Sequence, residues 1–403
     1  MDNTEKLAVY NQVTGKTDKS VRVTASNPVS VFAFTGLSDH LNDATNVFPV
    51  TAFGTEYYAI SYSSCSPTIF DAYAVVATQN DTKIYHDGIE QITLAAGEVY
   101  YKTTLVLGDM TGAHITATHP VAFFAQCQRA IIPITNFGIG NVLFQQLAPA
   151  HTWGTRFFVP VSIIQIEYVR IVVSKSNTNI TQTGGTIKTE AGGQPLLTNL
   201  QAGEFVELVI TQGNKGCYIE ANNPIGVCSF MRDDTGPYTI GAASQVWIPA
   251  IKQSTPNVLT APFEYPIMYD SYYALVVTPT ATKNNTKVSI GGAPAVSLSG
   301  GEWHDHSAMK TSMSYYNFPL TDHTAYYIFS NPAGIIVLGY GVLTVPGPGG
   351  ASHYYLAGSG MRNLSAAFTA NNIPYTELSE HIFCEHDITF FPLWRGYTLL
   401  REA

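Results

Sequence analysis

Apolar and polar residues alternate along most of the chain, with valine, isoleucine, tyrosine and phenylalanine in the apolar places and Gly, Pro and Asn between the runs. A period of two puts successive side chains on opposite faces of a strand. No stretch carries the 3.6-residue period of an amphipathic helix, so no helix is expected. The organising phrase is Val21-Arg-Val-Thr-Ala-Ser-Asn-Pro28-Val-Ser-Val-Phe-Ala-Phe-Thr-Gly36. It reads as a hairpin, with a turn at Asn27-Pro28 and an apolar strand returning. The phrase recurs around Pro120, Pro224 and Pro332, at spacings of 92, 104 and 108 residues.

Other landmarks keep the same phase. Phe48-Pro49, Ala148-Pro149 and Ile248-Pro249 lie 100 residues apart, followed by Gly54-Thr55, Gly154-Thr155 and Ser254-Thr255. An apolar strand comes next (Val75, Val172, Val276), then an Asn-rich turn (Asn80, Asn177, Asn284), then a Gly-Glu pair at Gly97-Glu98, Gly203-Glu204 and Gly301-Glu302. This predicts an antiparallel all-β protein with three internal repeats of about 100 residues, running over residues 47–130, 142–233 and 245–342. Residues 1–20 form a lead-in with a strand at Leu7–Tyr10, and 21–375 form the repeat-built domain. The chain opens with the end of a repeat (21–36) and starts another at 352–375, after the hinge Pro346–Gly350. A split repeat of that kind fastens a propeller-like ring, with seven or eight strands per module as two blades. Tandem β-sandwiches are the alternative, since about 100 residues also make one sandwich. Residues 376–403 read as the start of a truncated further domain or as a tail.

Composition narrows the function classes. Charged residues are 12% of the 403, about half the usual ~25%, and the net charge is −9 without a basic cluster. Nucleic acid is excluded as a partner, because phosphate binding needs clustered Lys and Arg. No 18-residue apolar run exists to span a membrane. Met1-Asp-Asn-Thr-Glu-Lys6 carries no signal-peptide core, so the protein is either cytosolic or a secreted or cell-surface protein whose leader is absent from this chain, and the second is the expectation. Five cysteines are too few for a disulfide scaffold. Cys217 and Cys228 flank Asn222-Asn223 symmetrically and would face each other across a hairpin, as a disulfide or as two buried thiols. Cys65 and Cys127 would meet only if the first module folds them together. Without a Cys-x-x-Cys, no zinc site is expected.

The phrases from Pro28 to Phe34, Val47 to Tyr58, Ala74 to Thr82 and Ile115 to Phe124 together resemble the N-terminal domain of the IgGFc-binding protein family. The resemblance covers roughly residues 20–345. It implies extracellular binding or adhesion, with a host glycoprotein, mucin or immunoglobulin Fc as partner. It carries no catalytic or ligand residue onto this sequence. The chain also lacks the cysteine-rich modules of the animal proteins.

No catalytic residue, metal site or cofactor is assigned. His304-Asp305-His306 with His323 is the densest set of metal-ligand types, but a solvated turn after Trp303 accounts for it. Asp39, Asn42, Asp43 and Asn46 offer hard oxygens without EF-hand spacing and read as a solvated connector. The Gly-Glu acid occurs in every module, which suits structure better than catalysis. Sequons at Asn80, Asn179, Asn284 and Asn363 fall mostly on the repeated turn, where turn chemistry explains them. The ligand-binding candidates are Tyr265, Tyr269, Tyr272 and Tyr273, since tyrosine offers a large amphipathic surface at low entropic cost. The alternative is that such tyrosines line strand faces within the sheets. The expectation is a binding module, not an enzyme; the alternatives are a carbohydrate-active enzyme on a propeller scaffold and a structural spacer of a larger surface protein.

Overall fold

A computed structural model of the protein describes residues 13–361, apart from 28, 38–40, 106, 135–139, 190–191, 234–240, 264–269, 308–311 and 344–350, and the backbone of 388–390 and 397–400. The protein is all-β and antiparallel. Helical structure among the described residues is limited to short 3-10 turns such as Val50–Ala52, Ala150–Thr152 and Ile251–Gln253.

The first strands are β1 (Gly15–Thr17), β2 (Val21–Val23), β3 (Ser30–Leu37) and β4 (Leu41–Asn46). The first module holds β5 (Gly54–Tyr58), β6 (Asp71–Ala77), β7 (Thr82–His86), β8 (Ile89–Leu94), β9 (Val99–Thr103), β10 (His114–Ala130) and β11 (Asn141–Gln146). The second holds β12 (Gly154–Val159), β13 (Ile166–Val173), β14 (Ile180–Thr183), β15 (Thr186–Lys188), β16 (Phe205–Thr211), β17 (Cys217–Met231) and β18 (Ser244–Trp247). The third holds β19 (Thr255–Thr260), β20 (Ser271–Pro279), β21 (Lys287–Ile290), β22 (Val296–Ser297), β23 (His304–Ser307), β24 (Ser312–Pro319), β25 (Tyr327–Val342) and β26 (Ser352–Gly358). Near the C-terminus are β27 (Ile388–Phe390) and β28 (Tyr397–Leu400).

Each module is built on one long strand. The first half of β10 pairs with β5 and β7, and its second half with β6 and β11. β17 does the same with β12 and β14, then β13 and β18. β25 repeats the pattern with β19 and β21, then β20 and β26. This corrects the expected hairpins. In all three modules the Pro phrase does not turn back; the strand bends there and continues. Pairing with β5 jumps from Thr116 to Val121 across Pro120. Proline suits that place because it has no N–H to offer a ladder, and a bulge needs none. For the same reason Cys217 and Cys228 do not face each other. They are free thiols at opposite ends of β17, on the order of 30 Å apart along an extended strand. Burial pushes both thiols up to about 12.

The expected pairs of separate blades are likewise absent. Each module forms one sheet, of 8 strands where β1 adds to the first, then 7 and 8, curled like a half-barrel around its long strand, and none of these sheets closes on itself. The shared long strand is the reason, since it belongs to both halves of its sheet. Of the stretches read as the lead-in strand and the tail, Leu7–Tyr10 and most of 376–403 lie outside the described residues. Two described pieces of the tail pair with the N-terminal strands, β27 with β2 and β28 with β3.

Four strands meet at the middle. β4 packs against β11 and β26, and β18 packs against the same two. After β4, β11 and β18 comes a 3-10 turn starting at the repeated proline motif. The turn Ala150–Thr152 packs on β5, and Ile251–Gln253 packs on β12, covering edge strands that would otherwise be open. The approach explains the repeated glycine: a Cβ on Gly54 would lie 2.5 Å from the Pro149 Cβ and 2.9 Å from the His151 ring. Trp153 and Trp247 join the modules in one core, with ring centroids 6.0 Å apart. A second core gathers Phe32, Phe263 and Tyr355, edge to face at 4.7–5.7 Å. Each such pair adds about 0.5–1.5 kcal/mol beyond area burial.

Candidate functional site

The tyrosines proposed for ligand contact are placed unevenly. Tyr265 and Tyr269 lie outside the described residues. Tyr272 is 3% exposed, its ring edge-on to His323 at 4.7 Å. Tyr273 is half-buried and stacks on Tyr340 at 5.2 Å. Both sit on β20, where the alternation sends one to each face of the sheet.

The polar groups with the most bonds lie in the interior. Asn42 and Asp43, expected in a solvated connector, are fully buried on β4. Asp43 accepts backbone N–H bonds from strands all around it: Ala44 (2.9 Å), Phe144, Gln245 and Tyr354 (3.1 Å each). Burial raises its carboxyl well above the usual range, and those N–H donors pull the other way. Asn141 repeats the device one layer away. Its carbonyl accepts from Asn42 N (2.6 Å) and its amide donates to the carbonyls of Asn42, Ala243 and Ser352. The meeting of β4, β11, β18 and β26 is therefore polar inside, with Asp43 and Asn141 each bonded to several strands.

A second cluster joins modules one and two. The fully buried Arg170 of β13 donates to Glu207 (2.9 Å), Asp109 (2.7 Å), Thr111 (2.8 Å) and the Ser61 carbonyl (2.7 Å). Its guanidinium lies 3.9 Å from the Tyr62 ring centroid and 4.9 Å from that of Phe205. Asp71 and Glu167 occupy matching places, opposite Cys127 and Met231 of the long strands. Asp71 accepts from the Ser61 hydroxyl and from the backbone N–H groups of Ala72 and Met110. Glu167 accepts from Ser162 N (3.0 Å) and the Ser229 hydroxyl (2.8 Å), and burial pushes it up to about 7. A raised carboxyl often marks an active site, but these are completely buried and engaged by their own scaffold. The bonds of Arg170 tie module two to module one.

The repeated landmarks are turn chemistry. Glu98 and Glu204 accept the backbone N–H groups of Ala95 and Gln201 at 2.7 Å, beside Gly97 and Gly203 at φ 85° and 86°. Asn80 and Asn179 accept from the same turns, at Ala96 (3.0 Å) and Asn199 (2.8 Å). The histidines are not gathered. His304 stacks on Tyr315, Asp305 pairs with Lys283 at 2.6 Å, and His306 packs near Phe158. Among the described residues no group of His, Cys, Asp and Glu is arranged to hold a metal.

What remains for recognition is the outside. The ends of β10, β17 and β25 and the starts of β6, β13 and β20 lie together at one end of each module, because the strands pair antiparallel there. Ile131, Arg232 and Leu343 lead away from the long strands at that end, and Asp270 leads into β20 there. A small polar cleft opens elsewhere, lined by Gly154, Thr155, Arg156, Glu220, Ala250 and Lys252, with Arg156 and Glu220 paired at 3.0 Å. No helix among the described residues is long and apolar enough to cross a membrane.

Two comparisons bear on identity. A family model described as IgGFc binding protein matches residues 43–341. A human protein named IgGFc-binding protein is 28% identical over 204 residues, covering 47% of this chain and 4% of the human protein. The chain belongs to the IgGFc-binding protein family, a family described by binding rather than by a reaction.

Proposed function

We propose that this member of the family is an extracellular or cell-surface binding module for a host glycoprotein, mucin or immunoglobulin, with no catalytic role. Membership across residues 43–341 carries the reading, and the human relative bears the name of an Fc binder. Two further features support it. The strongly shifted acids are locked into scaffold bonds, which leaves them unsuited to catalysis. The connections at one end of the modules spring from a rigid framework, the usual way that loops carry recognition. We read that framework as a propeller-like ring of three repeats and a split one, centred on β4, β11, β18 and β26. Tyr265 and Tyr269 are our first choice among the tyrosines, because Tyr272 already serves the core.

The deciding experiment is binding of the chain to immobilised Fc, whole mucin and mucin glycans, with and without calcium. Saturable binding to one class is the expected result. Glycan cleavage without binding would replace this reading with a carbohydrate-active enzyme. No binding and no cleavage would leave a spacer in a larger surface protein.

A further inference from the structure

The first module folds two cysteines onto one stretch of backbone. Cys127 is fully buried near the end of β10, opposite Asp71. The ladder between β10 and β11 breaks just beyond it, between Cys127 and Ala130. A bulge of this kind leaves peptide groups out of the ladder, open to other partners. The Arg129 carbonyl, inside the break, accepts from Cys65 N at 3.0 Å. The Arg129 N–H donates to the Cys127 sulfur. One residue thus holds the backbone of the first cysteine and the sulfur of the second, and the two thiols feel each other's charge.

The two thiols are unequal. Cys65 is half-buried, and Pro67 and Thr68 just after it are exposed. Burial raises its thiol above the ordinary value, while the Arg129 guanidinium pulls it down. It is the sulfur of the pair that a reagent in water reaches first. Cys127 is shut away, and burial pushes its thiol well above the ordinary value. In modules two and three, Met231 and Val342 stand at the place of Cys127, opposite Glu167 and Ser271. The thiol pair therefore belongs to module one and is no part of the repeated framework.

We propose that Cys65 and Cys127 form a redox site that closes to an intramolecular disulfide when it meets a small disulfide such as oxidised glutathione. The Cys65 thiolate attacks one sulfur of the oxidant and expels a glutathione thiolate, leaving a mixed disulfide on Cys65. Cys127 then gives its proton to the expelled thiolate, attacks the Cys65 sulfur and expels the second glutathione. Two protein thiols are oxidised and one glutathione disulfide is reduced to two thiols. The bond requires Cα atoms within about 7 Å, an approach that the shared contact with Arg129 favours. It ties the connection between β5 and β6 to the end of β10, from which Ile131 leads away. The site does not depend on the Fc or mucin reading, so the failure of either leaves the other intact.

The test treats the whole folded chain with oxidised glutathione at about pH 8, caps free thiols with N-ethylmaleimide, and reads the digest by mass spectrometry. The expected product is a linked Cys65–Cys127 peptide pair, lighter by two hydrogens than the two thiol peptides together. Alkylation of Cys65 by iodoacetamide slows at least about tenfold after oxidation, and dithiothreitol restores it. Cys65→Ser, at a half-buried position, keeps the fold and gives no linked pair. Cys127→Ala stops at the first step, with glutathione held on Cys65. If that variant does not fold, the wild type and Cys65→Ser still decide. The proposal falls if the wild type also stops at the mixed disulfide, or if Cys65 links instead to Cys384 or to a second chain. It falls equally if the pair forms only after unfolding in urea, or if Cys65 does not react at all.

Discussion

The inner strands and the outer hairpins of this protein use the same extended backbone under opposite conditions. β4, β11, β18 and β26 are almost wholly buried and carry Asp43, Asn141, Gln145 and Ser352 inside. On the outer parts, Ile89, Leu196 and Val296 are 68%, 65% and 57% exposed. Hydrophobic side chains in water and polar ones in the interior look like an inversion of the usual rule. They are not equal violations. A lone exposed apolar side chain costs little, because most protein surfaces carry many. A buried polar group is costly unless every donor and acceptor is met, and here the partners come from several strands at once. The inner polarity is therefore specific to one arrangement of the strands, and the outer apolarity specifies nothing about it.

The contrast can be broken most directly at Asp43. Asp43→Ala strands the N–H groups of Phe144, Gln245 and Tyr354, and the expected loss is roughly 5 kcal/mol in urea unfolding. Asp43→Asn keeps one acceptor oxygen and should fall between. A loss under about 1 kcal/mol for the alanine variant would show that the carboxylate does not tie the strands.

Arg170→Ala comes next. It leaves Asp109 and Glu207 facing each other without their cation, at a cost of about 3–5 kcal/mol. Arg170→Met combined with Glu207→Gln should regain part of it, since removing both charges restores the balance. If the double variant is no better than the single one, packing against Tyr62 and Phe205 matters more than charge.

Glu167 makes the contrast pH-dependent. Its carboxyl is raised from 4.5 to about 7, so the folded state holds a proton that the unfolded chain has released. Its contribution is fully present below about pH 4.5 and is lost as pH rises through about 7. Wild type should lose up to about 3 kcal/mol across that window relative to Glu167→Gln, measured by paired denaturant titrations. Parallel curves would refute a protonated Glu167. The smallest effect belongs to the outside: Ile89→Thr and Val296→Ser should each move stability by no more than about 0.5 kcal/mol.

The repeat, the all-β class and the family were legible because they rest on local order: alternation, turn residues and the recurrence of one phrase. The hairpin expectation failed at the same phrase. Asn-Pro is a good turn dipeptide, but Pro120 serves equally as the pause in a bulge, and only neighbours far along the chain decide between them. Asp43 was misplaced for a related reason. Leu41-Asn-Asp-Ala-Thr-Asn46 has the composition of a loop, and its polar side chains are answered by β11, β18 and β26, 100 or more residues away.

By itself the sequence determined what each segment prefers to be. Extended strands, turns at Gly97 and Gly203, low charge and the family pattern all follow from residues close together in the chain. The tertiary structure alone decided which strands share a sheet, that a long strand bends instead of turning back, and that Arg170 and Asp43 lie in the interior. Those outcomes depend on burial, since a charge or an amide leaves water at a cost that bonds from distant backbone and side-chain groups must offset.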